Sequence, residues 1–360
     1  MANIHDYIEP SKFSNPSPSQ DPSPELNHEC SSWILSSQRA SDLYEAGVKL
    51  WRKEDLVDIE AQLARSFETE YFTVRRIDGV VARIKNPMAP RLKTQGYWQL
   101  VRIEPDGPPE TYLCPYLLEW RNQTVPRYEG VIEYSKSLFE TKRQLWNNSI
   151  TCELFRAQLQ RLLNTGKRRI TKVVCFGLGD MVTKTGEWEM NHRRETGQEA
   201  SETSDVEGSL MQHAMALTMA EAVRHNTGDS VQLKAQDPAY REQTKEILCE
   251  NGFEIVGKCG AGGFAEVDED TLVFTAFAST AISEVLADIA RPALVITTGG
   301  DKTFSDHTEV FSDAESPRTR QMWREYSVSH FAMPSPELEP FEPLTRMSIR
   351  TRIPGVEGAR

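Results

Sequence analysis

Hydrophobic residues in the second half of the chain alternate between short continuous runs and helical spacing. The runs are rich in Val, Ile and Leu without polar alternation, as in strands covered on both faces, and they lie at 172–179, 231–237, 253–256, 271–277 and 293–298. The segments between them carry apolar residues at helical spacing, which predicts helices at 209–225, 240–251 and 280–289. Strands that alternate with helices over short connections imply parallel strands and right-handed crossovers. The predicted fold class is therefore α/β, with a Rossmann-like doubly wound, mostly parallel sheet over 165–333.

The N-terminal part of the chain has a mixed pattern. Apolar spacing predicts a helix capped by Ser41 that runs through Leu50, a second helix over 56–67 and helical structure over 135–164. Three β-like runs lie between them, at 71–74, 80–84 and 97–101. We expect a helical and hairpin-containing region at 29–164 that packs on the sheet domain.

Three segments depart from this periodicity. Residues 1–28 contain five Pro and five Ser and are predicted as a disordered leader, and residues 334–360 form a Pro-rich tail. An acidic insertion at 181–207 occupies a place where a Rossmann-like turn usually has a few residues. Its composition favours disorder, and a lid is the alternative.

The negative charge is concentrated in two of these segments. Residues 1–28 carry a net charge of −3 and residues 184–207 carry −4, which together exceed half of the net charge of −12. An acidic chain is a poor candidate for binding nucleic acid or an anionic membrane surface, so we expect neither, and the acidic segments are candidate contacts for protein partners. The chain has no apolar run of membrane-spanning length, no secretory signal pattern and no CxxC pair, which predicts a reduced protein of the cytoplasm, the nucleus or both.

Candidate ligand-binding residues lie where the predicted strands end, because doubly wound sheets bind ligands at the carboxyl ends of their strands. Gly177, Gly179 and Asp180 follow the first strand, where glycines let the backbone approach an anion. Val182 stands where a dinucleotide fingerprint would have its third glycine, so a tight turn without a ligand is the alternative. Gln212 and His213 lie near the start of the next helix, where one of the two is expected to face the cleft, and Gln212 is the candidate ligand-binding residue.

Three further strand ends and one loop complete the candidates. Asp237, with Tyr240 after it, ends the second strand and suits either a ribose hydroxyl or a helix N-cap. Phe277 and Ser279 follow the fourth strand, with Ser279 as the expected N-cap, and the glycines at 299–300 close the last strand. The glycine-rich segment 257–263 looks like a phosphate loop but is predicted to be a hairpin or loose connection.

The residues from about 171 to 300 resemble the "sensitivity to red light reduced" (SRR-like) domain family. The motifs that carry this resemblance are Val174-Cys175-Phe176-Gly177-Leu178-Gly179, Gln212-His213-Ala214 and Asp237-Pro238-Ala239-Tyr240. Segments 43–51 and 317–326 look like parts of fungal members. The family often has Met-Pro-His-Cys after the fourth strand, where this chain has Thr275-Ala276-Phe277-Ala278-Ser279.

The sequence shows no nucleophile elbow, no Cys/His pair and no metal-ligand set. With the His and Cys of the family motif also replaced, we expect a regulatory or adaptor protein that binds a nucleotide-like ligand, such as S-adenosylmethionine or NAD, without turnover. The alternative is a methyltransferase-like or other enzyme that uses a nucleotide cofactor, because the scaffold alone does not decide between the two.

Overall fold

The chain is described here from a computed structural model. The structure describes residues 32–86, 91–94, 96–102, 107–119, 130–166, 169–198, 200–276, 280–297, 313, 315–331 and 347–355. The predicted leader at 1–28 lies outside these residues, as does most of the predicted C-terminal tail.

The described N-terminal region consists of short helices and two antiparallel strand pairs. Its helices are α1 (Ser32–Glu45), α2 (Lys53–Ala64) and α3 (Tyr97–Arg102), with a 3-10 turn at Pro109–Thr111. Strand β1 (Tyr71–Arg75) pairs with β2 (Val81–Lys85), and β3 (Arg91–Thr94) pairs with β4 (Tyr116–Glu119).

The remainder forms a mixed α/β domain. In chain order its elements are α4 (Ser135–Asn147), α5 (Ile150–Thr165), β5 (Lys172–Phe176), α6 (Glu187–Glu195), α7 (Glu207–Thr227), β6 (Gln232–Gln236), α8 (Glu242–Glu250), β7 (Phe253–Ile255), α9 (Gly262–Ala265), β8 (Thr271–Thr275), α10 (Ile282–Ile289), β9 (Leu294–Thr297), α11 (Pro317–Trp323), β10 (Tyr326–His330) and β11 (Ser348–Arg352).

These strands build one mostly parallel sheet of seven strands in the order β10-β11-β9-β8-β5-β6-β7. The five strands from β9 to β7 are parallel, and β11 joins them antiparallel to β9. The chain leaves β5 toward β6 on one side and later returns to pair β8 on the other, so the strand order reverses at β5. The predicted α/β class with a mostly parallel sheet is confirmed.

Both faces of the sheet are covered, which explains why β5 is a continuous apolar run. Val173 and Cys175 join a core with α5 and α7, while Val174 and Phe176 join a second core with α2 and α9. All four side chains are at most 1% exposed. Since α2 belongs to the N-terminal region, that region packs on the sheet as expected.

Two local predictions in the N-terminal region are wrong. Residues 97–101 form helix α3 rather than a strand. At the start of the helix, the Tyr97 backbone N–H donates to the two carboxyl oxygens of Glu284, each at 3.1 Å, so a distant side chain supplies an acceptor for a backbone N–H that has no partner within the helix. Ser41 does not cap a helix, because α1 begins nine residues earlier, at Ser32.

The helical pattern over 135–164 is divided into α4 and α5. The Ser149 hydroxyl accepts a hydrogen bond from the Cys152 backbone N–H at 3.0 Å and starts the second helix.

The acidic insertion and the C-terminal segment are more ordered than predicted. The insertion contains α6, and Met181, Val182 and Val206 are buried at 2% exposure or less, so disorder is wrong for its described part. The segment at 334–360 contains β11, a strand of the main sheet, and is therefore not only a tail.

Candidate functional site

The turn after β5 is shaped by two glycines. Gly177 has φ of 65° and Gly179 has φ of 80°, a left-handed conformation that side chains disfavour. A Cβ on Gly179 would lie 2.3 Å from the Ser209 hydroxyl oxygen, so the glycine lets the first turn of α7 approach the strand end. The Gly179 backbone N–H donates to the Asp237 carboxylate at 2.7 Å. The structure therefore brings the predicted ends of the first two strands into contact.

The Asp180 carboxylate connects the insertion to the start of α8 through hydrogen bonds. One of its oxygens accepts hydrogen bonds from the Val182 and Thr183 backbone N–H groups and the Thr183 hydroxyl, at 3.2, 3.0 and 2.6 Å. The other accepts from the Arg241 backbone N–H at 3.0 Å and the Thr244 hydroxyl at 2.6 Å. Burial alone would raise the pKa of Asp180, but these hydrogen bonds outweigh it and the pKa is lowered. Both oxygens are committed to the fold.

Asp237 also binds its own chain. Its second oxygen accepts from the Ala239 backbone N–H at 2.9 Å, while α8 begins at Glu242 with Arg241 as its N-cap residue. The N-cap role considered for Asp237 is therefore wrong. Burial raises the pKa of this carboxyl, with hydrogen bonds from Ala239 and Gly179 acting against the rise.

Tyr240 pairs with His213 inside the protein. His213 Nδ1 lies 2.7 Å from the Ser209 carbonyl oxygen and Nε2 lies 2.8 Å from the Tyr240 hydroxyl. Because a carbonyl only accepts, Nδ1 carries the proton and the Tyr240 hydroxyl donates to Nε2. Burial lowers the pKa of His213 to about 4 and raises that of Tyr240 well above its ordinary value. Both groups are neutral at pH 7, so this is a buried polar pair.

Gln212 differs from all of these residues. It is only 1% exposed, yet among the described residues neither its side-chain oxygen nor its nitrogen has a hydrogen-bond partner. It follows Ser209 by three positions in α7, so it lies on the side of the helix that meets the Gly179 turn. An unsatisfied buried polar group costs about 1–3 kcal/mol, so such a group calls for an explanation.

The backbone N–H groups of the glycine-rich loop after β7 bind a side-chain carboxylate of the protein itself. The Glu60 carboxylate of α2 accepts hydrogen bonds from the backbone N–H groups of Cys259, Ala261 and Gly262, at 2.8, 3.1 and 3.0 Å. The loop leads into α9 and not into a strand, which corrects the predicted hairpin. Glu60 carried no sequence signal, because nothing local to α2 indicates a partner 199 positions later.

A second side chain locks the same loop from the sheet. Gln236, the last residue of β6, accepts from the Gly263 backbone N–H at 2.6 Å and donates to the Gly260 carbonyl at 3.0 Å. A Cβ on Gly257 would lie 1.7 Å from the Gln236 amide oxygen. Two side chains of the protein itself therefore bind the backbone of this loop, Glu60 from α2 and Gln236 from β6.

Buried carboxylates join α10 to the N-terminal region. Asp288 accepts from the Leu50 and Trp51 backbone N–H groups at 2.6 and 3.0 Å and pairs with Arg318 at 2.8 Å. Glu284, one turn earlier, holds the start of α3, and burial raises its pKa to about 8. These contacts are structural, and sequence reasoning did not single them out.

Two candidates and three glycine-region residues fall outside the described part of the chain. These are Phe277, Ser279, Gly299, Gly300 and Asp301. The N-cap residue of α10 is Ala281 and not Ser279.

Within the described ranges, no group of three or more His, Cys, Asp or Glu side chains is placed to hold a metal ion. Over the same ranges, no helix has the length and apolar character needed to cross a membrane.

Comparison with known proteins gives one family and one distant structural neighbour. The family model described as the SRR1 domain matches residues 142–344, which is more than half of the chain. No curated protein matches the sequence. A solved protein structure from Corynebacterium glutamicum is 11% identical, covers 62% of this chain and 92% of its own, and has a TM-score of 0.30.

Proposed function

The chain belongs to the SRR1 domain family, and from this premise we propose that it is a regulatory or adaptor protein that binds a nucleotide-like ligand without turning it over. The ligand lies at the carboxyl ends of β5 and β6, where the strand order reverses. We take the sheet as a Rossmann-like, doubly wound scaffold, because both of its faces are covered and its parallel strands run β9-β8-β5-β6-β7.

The unpaired amide of Gln212 is the observation that carries this proposal. An amide offers one donor and one acceptor side by side, and adenine presents the complementary pair on its edge. An adenine-bearing ligand such as S-adenosylmethionine, NAD or ATP would satisfy both atoms at once. Among the predicted site residues that the structure describes, Gln212 is the one whose polar side-chain atoms the fold leaves unsatisfied, and the proposal gives it a function.

The carboxylates of the site favour binding over catalysis. Both oxygens of Asp180 and both oxygens of Asp237 already accept hydrogen bonds from their own chain. His213 is neutral, fully buried and bonded at both ring nitrogens, so it is not positioned as a general base for a ligand in the cleft. The described site thus has binding groups without a free acid or base.

The test is thermal unfolding of the full chain with S-adenosylmethionine, NAD and ATP, each titrated up to millimolar concentration. A ligand at 100 times its dissociation constant stabilises the fold by about 2.7 kcal/mol. We expect one of the three to raise the melting temperature of the wild type and not that of Gln212→Leu. Gln144→Leu, on the exposed side of α4, is the matched control and should keep the ligand response.

Gln212→Leu also has an expected effect without ligand. Because it removes a buried unpaired amide, it should leave stability unchanged or increase it, whereas loss of a structural hydrogen bond would lower stability. The proposal fails if none of the three ligands shifts the wild type, or if Gln212→Leu responds like the wild type. Turnover of the bound ligand, followed by chromatography, would instead support the enzyme alternative.

We also propose that the acidic segments at 1–28 and 184–207 contact protein partners in the cytoplasm or nucleus. In the second segment, α6 presents Trp188 at 49% exposure, stacked on His192 with ring centroids 5.6 Å apart. Aromatic residues are enriched at protein interfaces. Co-purification that is lost on Trp188→Ala would support this surface, and unchanged co-purification would contradict it.

A further inference from the structure

A cavity of about 290 Å³ lies at the end of the sheet that is opposite the candidate site. Ile170 precedes β5 and Ala293 precedes β9, so the cavity is at the amino ends of the parallel strands. Its apolar wall consists of Leu162, Leu163, Ile170, Ala293, Leu294 and Pro354. Five residues of strand, roughly 17 Å, separate this edge from the Gly177 turn.

The cavity contains an unpaired hydroxyl. Thr351 of β11 lines it, and among the described residues the Thr351 hydroxyl has no hydrogen-bond partner although the atom is buried. Thr351 follows Ile349 by two positions, so both side chains face the same side of the sheet. Ile349 belongs to the core that contains α5, which places the hydroxyl among the apolar residues of the wall.

Among the described residues that line the cavity, the charged side chain already has partners. Arg352 also lines it, and its side chain is only 9% exposed. Its guanidinium donates to the Arg291 carbonyl at 3.1 Å and lies 3.6 Å from the Glu269 carboxylate and 4.0 Å from the Glu325 carboxylate. With two carboxylates against it, Arg352 has little attraction left for an anion, and a neutral ligand is favoured.

We infer that this cavity is a binding site for a small neutral molecule with a ring-sized apolar body and one hydrogen-bonding group. A cavity of about 150 Å³ is enough for benzene, and ligand pockets begin near 300 Å³, so the volume suits one ring with a substituent. The apolar wall contacts the ring, and the Thr351 hydroxyl forms a hydrogen bond with the polar atom. This site is independent of the proposed function, because it shares no residue with the Gln212 cleft.

The experiment uses phenol, toluene and benzoate as probes, because they share one ring and differ in the substituent. Binding is followed in the full chain by methyl NMR, at the methyl groups of Leu162, Leu163, Ile170 and Leu294. We expect phenol and toluene to shift these signals and benzoate to bind much more weakly than phenol. In Thr351→Val, which keeps the shape and removes the hydroxyl, the ratio of phenol affinity to toluene affinity should fall about fivefold, the effect of one neutral hydrogen bond.

Two variants provide controls. Thr165→Val removes a hydroxyl outside the cavity, at the end of α5, and should leave the affinity ratio unchanged. Ala293→Leu fills the cavity and should abolish binding of both probes. If Ala293→Leu does not fold, Thr351→Val decides the question alone.

Three results would overturn the inference. The first is the absence of methyl shifts with phenol and toluene at millimolar concentration. The second is an affinity ratio that does not change in Thr351→Val. The third is benzoate binding as tight as phenol binding, since that would make Arg352 an available anion site. None of these results depends on adenine-bearing ligands, so they leave the test of Gln212 intact.

Discussion

Replacing Asp180 by Asn tests whether this carboxylate holds the insertion to α8. The substitution preserves the shape and exchanges one acceptor oxygen for a donating NH2 group. One Asp180 oxygen accepts from three donors and the other from two, so either orientation of the Asn deprives at least two donors of their acceptor. At about 1.5 kcal/mol for each hydrogen bond to a charged group, the expected loss in the free energy of unfolding is about 3 kcal/mol.

Urea denaturation measures this loss, provided that the m-value is unchanged. The control is Asp205→Asn in the same insertion. The Asp205 side chain is 43% exposed and pairs with Arg193, so this substitution should cost less than about 1 kcal/mol.

Because the pKa of Asp180 is lowered in the folded state, its contribution to stability is complete above the unfolded pKa of about 4 and is lost as the pH falls through the lower folded value. The difference between wild type and Asp180→Asn should therefore be constant from pH 7 to 5. A loss below about 1 kcal/mol at pH 7, or a difference that already shrinks above pH 5, would refute the reasoning.

Three other substitutions give expected outcomes in the same assay. Gly179→Ala should destabilise the protein by about 2 kcal/mol or more, since it combines a left-handed φ with a steric collision between the new Cβ and Ser209. Gly228→Ala, with φ of 73° and open space around it, should cost only about 1 kcal/mol. Equal losses in the two variants would contradict the predicted collision at Ser209. The stability difference between wild type and His213→Gln should change in favour of the variant as the pH falls from about 6.5 to 4, because the unfolded wild type gains a proton that His213, with a pKa of about 4, does not accept when folded. Glu284, with a pKa of about 8, binds a proton in the folded state that the unfolded state has already lost, so its contribution to stability should fall as the pH rises from about 4.5 to 8, and Glu284→Gln should be the more stable protein at pH 8.

The parallel part of the sheet could be predicted from the sequence because its strands are buried on both faces. Such strands must be continuously apolar, as in Lys172–Phe176, and the pattern is local. The contact between the ends of β5 and β6, where Gly179 meets Asp237, follows from the same reasoning. In contrast, the sequence of β11, Ser-Ile-Arg-Thr-Arg, is not a continuous apolar run. This strand belongs to the sheet because it pairs with β10 on one side and β9 on the other.

The features that local sequence could not predict depend on distant partners. Residues 97–101 read as a strand by composition, but Glu284, 187 positions away, stabilises the helical start. The Glu60 carboxylate in the glycine-rich loop is another such contact. Gln212 was a candidate by its place after the turn, whereas its unpaired amide is visible only in three dimensions. The fungal-type assignment, the ligand and the partners stay predictions.

The Glu60 contact has a practical consequence for how the protein can be divided. A recombinant fragment cut to the family match at 142–344 would lack Glu60 and would leave three backbone N–H groups of the glycine-rich loop without their acceptor. It would also lack β11, so β9 would become an open edge and β10 would lose the strand with which it pairs. Open strand edges favour aggregation. The smallest unit suited to expression is therefore larger than the stretch that defines the family, and it extends at least from α2 to β11.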